Sequence, residues 1–242
     1  MTLSDNERKQ LLSFIESHYV DHHDVILLIA RDLEEDITTQ MEQDEELSFE
    51  DALKQAYKKY GVIGFSDVSE DYMKKIDKYF RSNVLLKILK EEANTVGFWL
   101  LFILGFIIIY FTINSLSSSP IILLSIFGAL ILSALIFHIS KLHRNLKQLK
   151  KRKHKYYLDH LLASNSSMLF PISYLPLYLL IYIDNLTDND YLSVAIIAFF
   201  TTLSFLAFYL IYFKLYKERS IILQDYKESY LSKELHYKLD VI

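Results

Sequence analysis

The chain has no cysteine among its 242 residues. That excludes a disulfide scaffold, a thiol nucleophile and any cysteine-based metal site. Glycine is scarce, at five, and proline scarcer, at three, so few points break a helix. The first 20 residues lack a basic stretch leading into an apolar one, and no cleaved signal peptide is expected. There is no His-Glu-x-x-His, and no calcium loop with its alternating Asp/Asn ligands and central glycine. The most telling absence is local. Four runs, 95–113, 120–139, 168–183 and 191–213, contain no Asp, Glu, Lys or Arg. Each such charge would cost about 2.5–3.5 kcal/mol at mid-membrane.

The first, second and fourth runs approach the ~20 residues that cross a bilayer core at about 1.5 Å per residue. The third is 16 residues long and holds Pro171 and Pro176. It is expected to be a kinked span, with a re-entrant segment as the alternative. Loop charges orient the set. The stretch between the second and third runs carries Lys141, Arg144, Lys147, Lys150, Lys151, Arg152, Lys153 and Lys155. The other two loops carry no base, which makes the basic loop 141–165 and both termini cytoplasmic by the positive-inside rule. The expected location is the bacterial inner (plasma) membrane, multi-pass. Ser125, Ala129 and Ser133 in the second run, and Ala198 and Thr202 in the fourth, are small residues spaced for close helix packing. Tyr174, Tyr178 and Tyr182, with Tyr209, Tyr212 and Tyr216, read as interfacial anchors or a polar seam, with a ligand groove as the lesser reading. His138 has no intramembrane acid to pair with, which disfavours a charged relay.

Residues 1–92 are of the opposite character, with 12 Lys+Arg against 21 Asp+Glu. Apolar residues at helical spacing predict helices over 4–18, 24–46 and from Ser48 to a stop at Gly61. Ser4 with Glu7, and Ser48 with Asp51, are capping pairs. A fourth helix, from near Asp67, should run on into the first span because no breaker lies between Val68 and Glu92. The expected fold is all-α: an acidic cytoplasmic bundle (1–92), a four-span bundle (93–216) and a cytoplasmic C-terminal helix (217–242).

Phe14-Ile15-Glu16, the helix from Asp24-Val25 to Glu34-Glu35, Leu47–Leu53 and Tyr60-Gly61-Val62-Ile63-Gly64-Phe65-Ser66 resemble a group of Bacteroidota membrane proteins. More distantly they resemble the HAAS-type domain of bacterial membrane proteins. The resemblance covers residues 10–80. It implies a regulatory or signalling module without catalysis, of a kind often encoded beside PadR-like transcription regulators, and so a cytoplasmic protein partner.

Candidate sites are few. His18 and His22, four apart with Asp21 between, have a spacing that could share a divalent metal on one helical face. No downstream ligand completes the set, and polar residues solvating a turn, His23 and Asp24 among them, are the plainer reading. Glu34, Glu35, Glu42, Glu45 and Glu46 form an acidic face suited to a protein partner. Lys147, Lys150, Lys151, Arg152, Lys153 and Lys155 suit anionic lipid headgroups, with contact to the chain's own acidic domain second and nucleic acid disfavoured by position. No catalytic residue and no cofactor is expected. The leading expectation is a non-enzymatic membrane regulator or adaptor. The alternative is a small transporter or transporter accessory subunit, working as an oligomer such as a homo-oligomer.

Overall fold

A computed structural model describes residues 2–116, 129, 133, 136, 139–140, 143–144, 147, 154–164, 178, 190–215 and 217–235. Most of the second and third expected spans, Lys150, Lys151, Arg152, Lys153, His138, Tyr174, Tyr182 and Tyr216 lie outside the described residues. The described residues are helical, with no strand among them. They fall into two compact units.

The first unit comprises residues 1–81, 149–161 and 220–242. Helix α1 (Asp5–Ser17) opens on a complete capping box, in which the Glu7 N–H donates to Ser4 Oγ and the Ser4 N–H to Glu7 Oε2. It buries Leu11 and Ile15, and Arg8 reaches Glu34 at 2.7 Å. Helix α2 (His23–Gln43) is the centre of the unit. Its first turns, Asp24–Ala30, are buried without a break, so this stretch has no solvent-facing side and must be covered all round. Helix α3 (Phe49–Lys58) starts at the Ser48 cap and buries Phe49, Ala52, Leu53 and Ala56.

The turn after α3 depends on two glycines. Gly61 and Gly64 have φ of +66° and +62°, a region costly for residues with a Cβ. At Gly64 a Cβ would also lie 2.7 Å from Tyr57 Oη. Phe65 then folds back under His18, Tyr57 and Tyr60 in an aromatic cluster. Helix α4 (Ser66–Tyr79) buries Tyr72 and Ile76.

The expected uninterrupted run into the first span needs correction. After α4 the chain makes a π-helical turn, Phe80–Leu85, then α5 (Leu86–Ala93), and stops. Asn94 and Thr95 break the helix. Thr95 Oγ1 accepts from the Phe98 N–H at 3.3 Å and so caps a new one. Polar side chains that compete for backbone partners ended a run that holds neither proline nor glycine.

The second unit comprises residues 82–148 and 162–219. Helix α6 (Val96–Leu116) is apolar throughout, and its stretch Val96–Ser115 is the one helix among the described residues long and apolar enough to cross a membrane. Helix α7 (Tyr157–Ser164) has residues in both units. Helix α8 (Asp190–Tyr209) passes into a π-helical segment, Leu210–Leu215, which leaves a shorter apolar α-helix, Tyr191–Ala207.

Helices α6 and α8 pack antiparallel. Ile113 meets Val194, Ile197 and Ala198, while Gly105 lies against Thr202, whose Cγ2 would be 3.3 Å from an added Cβ. Ala198 and Thr202 are thus the close-approach positions their spacing predicts, both buried. Thr201 and Thr202 donate their hydroxyls to carbonyls four residues back, which satisfies them inside an apolar contact. Glu92 and Lys214 pair at 2.6 Å at one end of this helix pair. The opposite face of α6 carries exposed Leu100, Leu104, Ile107, Ile108 and Phe111.

Candidate functional site

The cover over the apolar start of α2 is the most specific arrangement in the first unit. It is built from two stretches distant in sequence. One is residues 154–161, which enter through the Lys155 carbonyl, accepting the His23 N–H at 2.7 Å. The other is the C-terminal segment: α9 (Arg219–Asp225), a π-helical turn Tyr226–Leu231 and α10 (Ser232–Leu235). From it Tyr226, Leu231 and Leu235 are buried.

Asp24 ties the three together. Its carboxylate is fully buried. Oδ1 accepts from the Tyr157 N–H at 2.8 Å and from the Val25 N–H at 3.1 Å. Oδ2 accepts from the Leu158 N–H at 3.3 Å and the Tyr226 hydroxyl at 3.2 Å. Asp24 therefore caps the N-terminus of α7 from a different helix, where unpaired backbone N–H groups favour an anion. Burial pushes its carboxyl up to about 6, and the four donors hold it from rising further. The Tyr226 hydroxyl is pushed well above its ordinary value, by burial first and by Asp24 next.

Histidines flank this carboxylate from both sides of the joint. His23 faces His154 with ring centres 4.3 Å apart, and His22 faces His160 at 5.9 Å and Tyr157 at 5.0 Å. Burial, then the His154 and Lys227 charges, lowers His23 to about 4. Burial and His160 lower His22, against an upward pull from Asp21. The Nδ1 atoms of His22 and His23 are buried with no hydrogen-bond partner. Lys227 sits 4.3 Å over the Tyr156 ring.

A second network fastens the chain end. Arg31 donates to the Glu234 carbonyl at 2.8 Å and to Glu234 Oε2 at 3.0 Å, and holds Asp32 at 2.7 Å. The Tyr72 hydroxyl accepts from Arg31 and donates to Asp32.

The sequence-predicted sites fare unevenly. His18 and His22 do not share a helical face. His18 is the C-cap of α1, Tyr19 turns the chain with φ of +65°, and residues 20–22 are extended or irregular. The His18 ring lies on Phe14 and Tyr57, whereas His22 faces α7. Among the described residues no group of three or more His, Asp or Glu is set to hold a metal ion. Asp24, taken with the polar turn, is instead buried; the signal was the unbroken apolar run Val25–Ala30 behind it. In the acidic run, Glu34 is half-buried on Arg8, while Glu35, Glu42, Glu45 and Glu46 are exposed. Lys147, Lys155 and Asp21 are exposed. No protein-family model, curated protein or solved structure matches this chain.

Proposed function

We propose that this chain is a non-enzymatic, multi-pass membrane protein of regulatory or adaptor type, whose first unit binds a cytoplasmic protein partner. The observation that carries the reading is the contrast within α2. Its start is sealed by other parts of the same chain, while its far end presents Glu35, Glu42, Glu45 and Glu46 outward. A fixed helix with an exposed acidic end suits a basic protein surface, by complementarity that steers encounter and selects partners. The PadR-like regulator implied by the HAAS-type resemblance is the partner to try first. A structural role for Asp24 fits a protein without catalysis, since structural donors already engage both its oxygens.

Membrane residence draws on α6, an apolar helix of spanning length with one face packed and the other exposed. The full proposal is four spans in the inner membrane with both termini cytoplasmic, and a basic loop on anionic headgroups. The experiment is co-purification of full-length protein with the neighbouring regulator in detergent. Glu35→Lys, Glu45→Lys and Glu46→Lys together should abolish capture. Capture that survives this reversal overturns the assignment of the acidic end as the docking face.

A further inference from the structure

We propose that the seat of residues 154–161 on α2 is a proton-sensitive latch, in which imidazoles of α2 face imidazoles of the seated segment and protonation on both sides drives the segment off. This goes beyond the adaptor reading and does not depend on which partner the unit binds.

Geometry supplies the case. Each side of the joint contributes two histidines, paired as His23 with His154 and His22 with His160 at ring separations of 4.3 and 5.9 Å. Added charge on both members of a pair is repulsive at such separation, and more so where water is excluded. No acceptor waits for a new proton on His22 or His23, because the Nδ1 of each is buried and unpartnered.

The groups facing the joint are mixed in sign. Lys155 on the segment opposes a charge on His22, and Lys227 on the C-terminal stretch opposes one on His23. Asp21 favours the charged His22, but burial and His160 outweigh it. From α4, Asp77 faces Tyr157, with Arg81 beyond. Asp159 is buried on α7 itself, and Tyr156 and Tyr226 complete the surround. Asp24 already accepts from four donors, and its own carboxyl titrates alongside the histidines.

Both α2 histidines titrate below their ordinary 6.5 when the segment is seated. Their contribution to the seat is fully present above that value and is lost as pH falls from 6.5 toward about 4. Asp24 acts in the opposite direction. Its carboxyl, raised from 3.8 to about 6, takes up a proton in the seated state over that interval. Near pH ~5 the proton gained on His23 and the one given up at Asp24 largely offset each other, and uptake at His22 sets the direction. That uptake weakens the seat as pH falls. Without Asp24 the dependence is steeper.

Hydrogen exchange of full-length protein in nanodiscs of zwitterionic lipid reads the seat directly, through the amides of Tyr157 and Leu158. Protection of a peptide spanning 156–162, corrected for the intrinsic pH dependence of exchange, should fall as pH drops from about 6.5 to about 5. A peptide from α3 should keep its protection. His154→Gln with His160→Gln, both at exposed positions, should lessen the fall, and Asp24→Asn should steepen it. Protection that stays level across this range overturns the latch. So does a fall of equal slope in the His154→Gln/His160→Gln protein, because the facing imidazoles would then not be its cause.

Discussion

Asp24 shows how one residue can oppose the fold in one respect while organising it in another. Burial raises its carboxyl from 3.8 to about 6. A raised carboxyl binds protons better folded than unfolded, so its contribution to stability is greatest in acid and declines as pH rises through about 4 to 6. At neutral pH the buried charge opposes folding by roughly 3 kcal/mol. Asp24→Asn resembles the neutral form, and the substituted protein should equal or exceed the parent in denaturant midpoint at pH ~8, the difference vanishing below pH ~4. Tyr226→Phe removes a donor to the ionised carboxylate. The Asp24 carboxyl should then titrate above about 6, which a carbon-13 carboxyl titration would register. Neither behaviour was legible from the sequence, where Asp24 sits among polar neighbours and reads as part of a solvated turn. Burial depends on residues more than 130 positions away.

Elements were more legible, because caps are local. Ser4 with Glu7 and Ser48 with Asp51 mark helix starts that the structure reproduces, and the bounds of α1 and α3 follow from them. Ser48→Ala should cost about 1 kcal/mol in a denaturant titration. Gly64→Ala should cost more. The left-handed backbone contributes about 1–2 kcal/mol, and the approach to Tyr57 Oη at 2.7 Å adds to it. Combining it with Tyr57→Phe should recover the steric part alone, leaving the backbone part in the measured midpoint. The junction of α5 and α6 was missed for a physical reason. The helix ends without proline or glycine, through Asn94 and the Thr95 hydroxyl, whose competition with helical bonding is weaker and depends on context.

At the scale of the whole molecule, compact units do not follow chain order. The first unit takes in residues 149–161 and 220–242 as well as 1–81. Among the described residues, the acidic domain meets the end of the basic stretch through Asp24, the Lys155 carbonyl and aromatic rings. Deleting residues 220–242 would uncover α2 by removing Tyr226, Leu231 and Leu235, each buried. At about 1.5–3 kcal/mol per large buried side chain, the first unit should become protease-sensitive in otherwise intact protein, measured by limited digestion in nanodiscs. The proposed topology has its own test. Periplasmic reporters fused at Ser118 and Thr187 should be active, and those at Lys151 and Ile242 inactive. Activity at Ile242 with silence at Thr187 would make the third apolar run re-entrant.

The sequence by itself determined the helical class of the described chain, the caps of α1 and α3, the glycine turn at 61–64 and the apolar length of α6. Each of these is written in residues close together: a hydroxyl three positions from an amide, a missing Cβ, some twenty residues without a charge. It also marked Ala198 and Thr202 as a packing face, since small residues four apart leave room for a neighbouring helix. Tertiary structure alone decided what occupies that room and what seals α2. A run such as Val25–Ala30 announces that it will be covered on every side, yet carries no record of what covers it. The cover comes from residues 154–161 and the C-terminal turns because their backbone N–H groups and the Tyr226 hydroxyl satisfy the carboxylate buried at the start of α2. A buried anion must find donors, and the chain brought them from two distant places to a single aspartate.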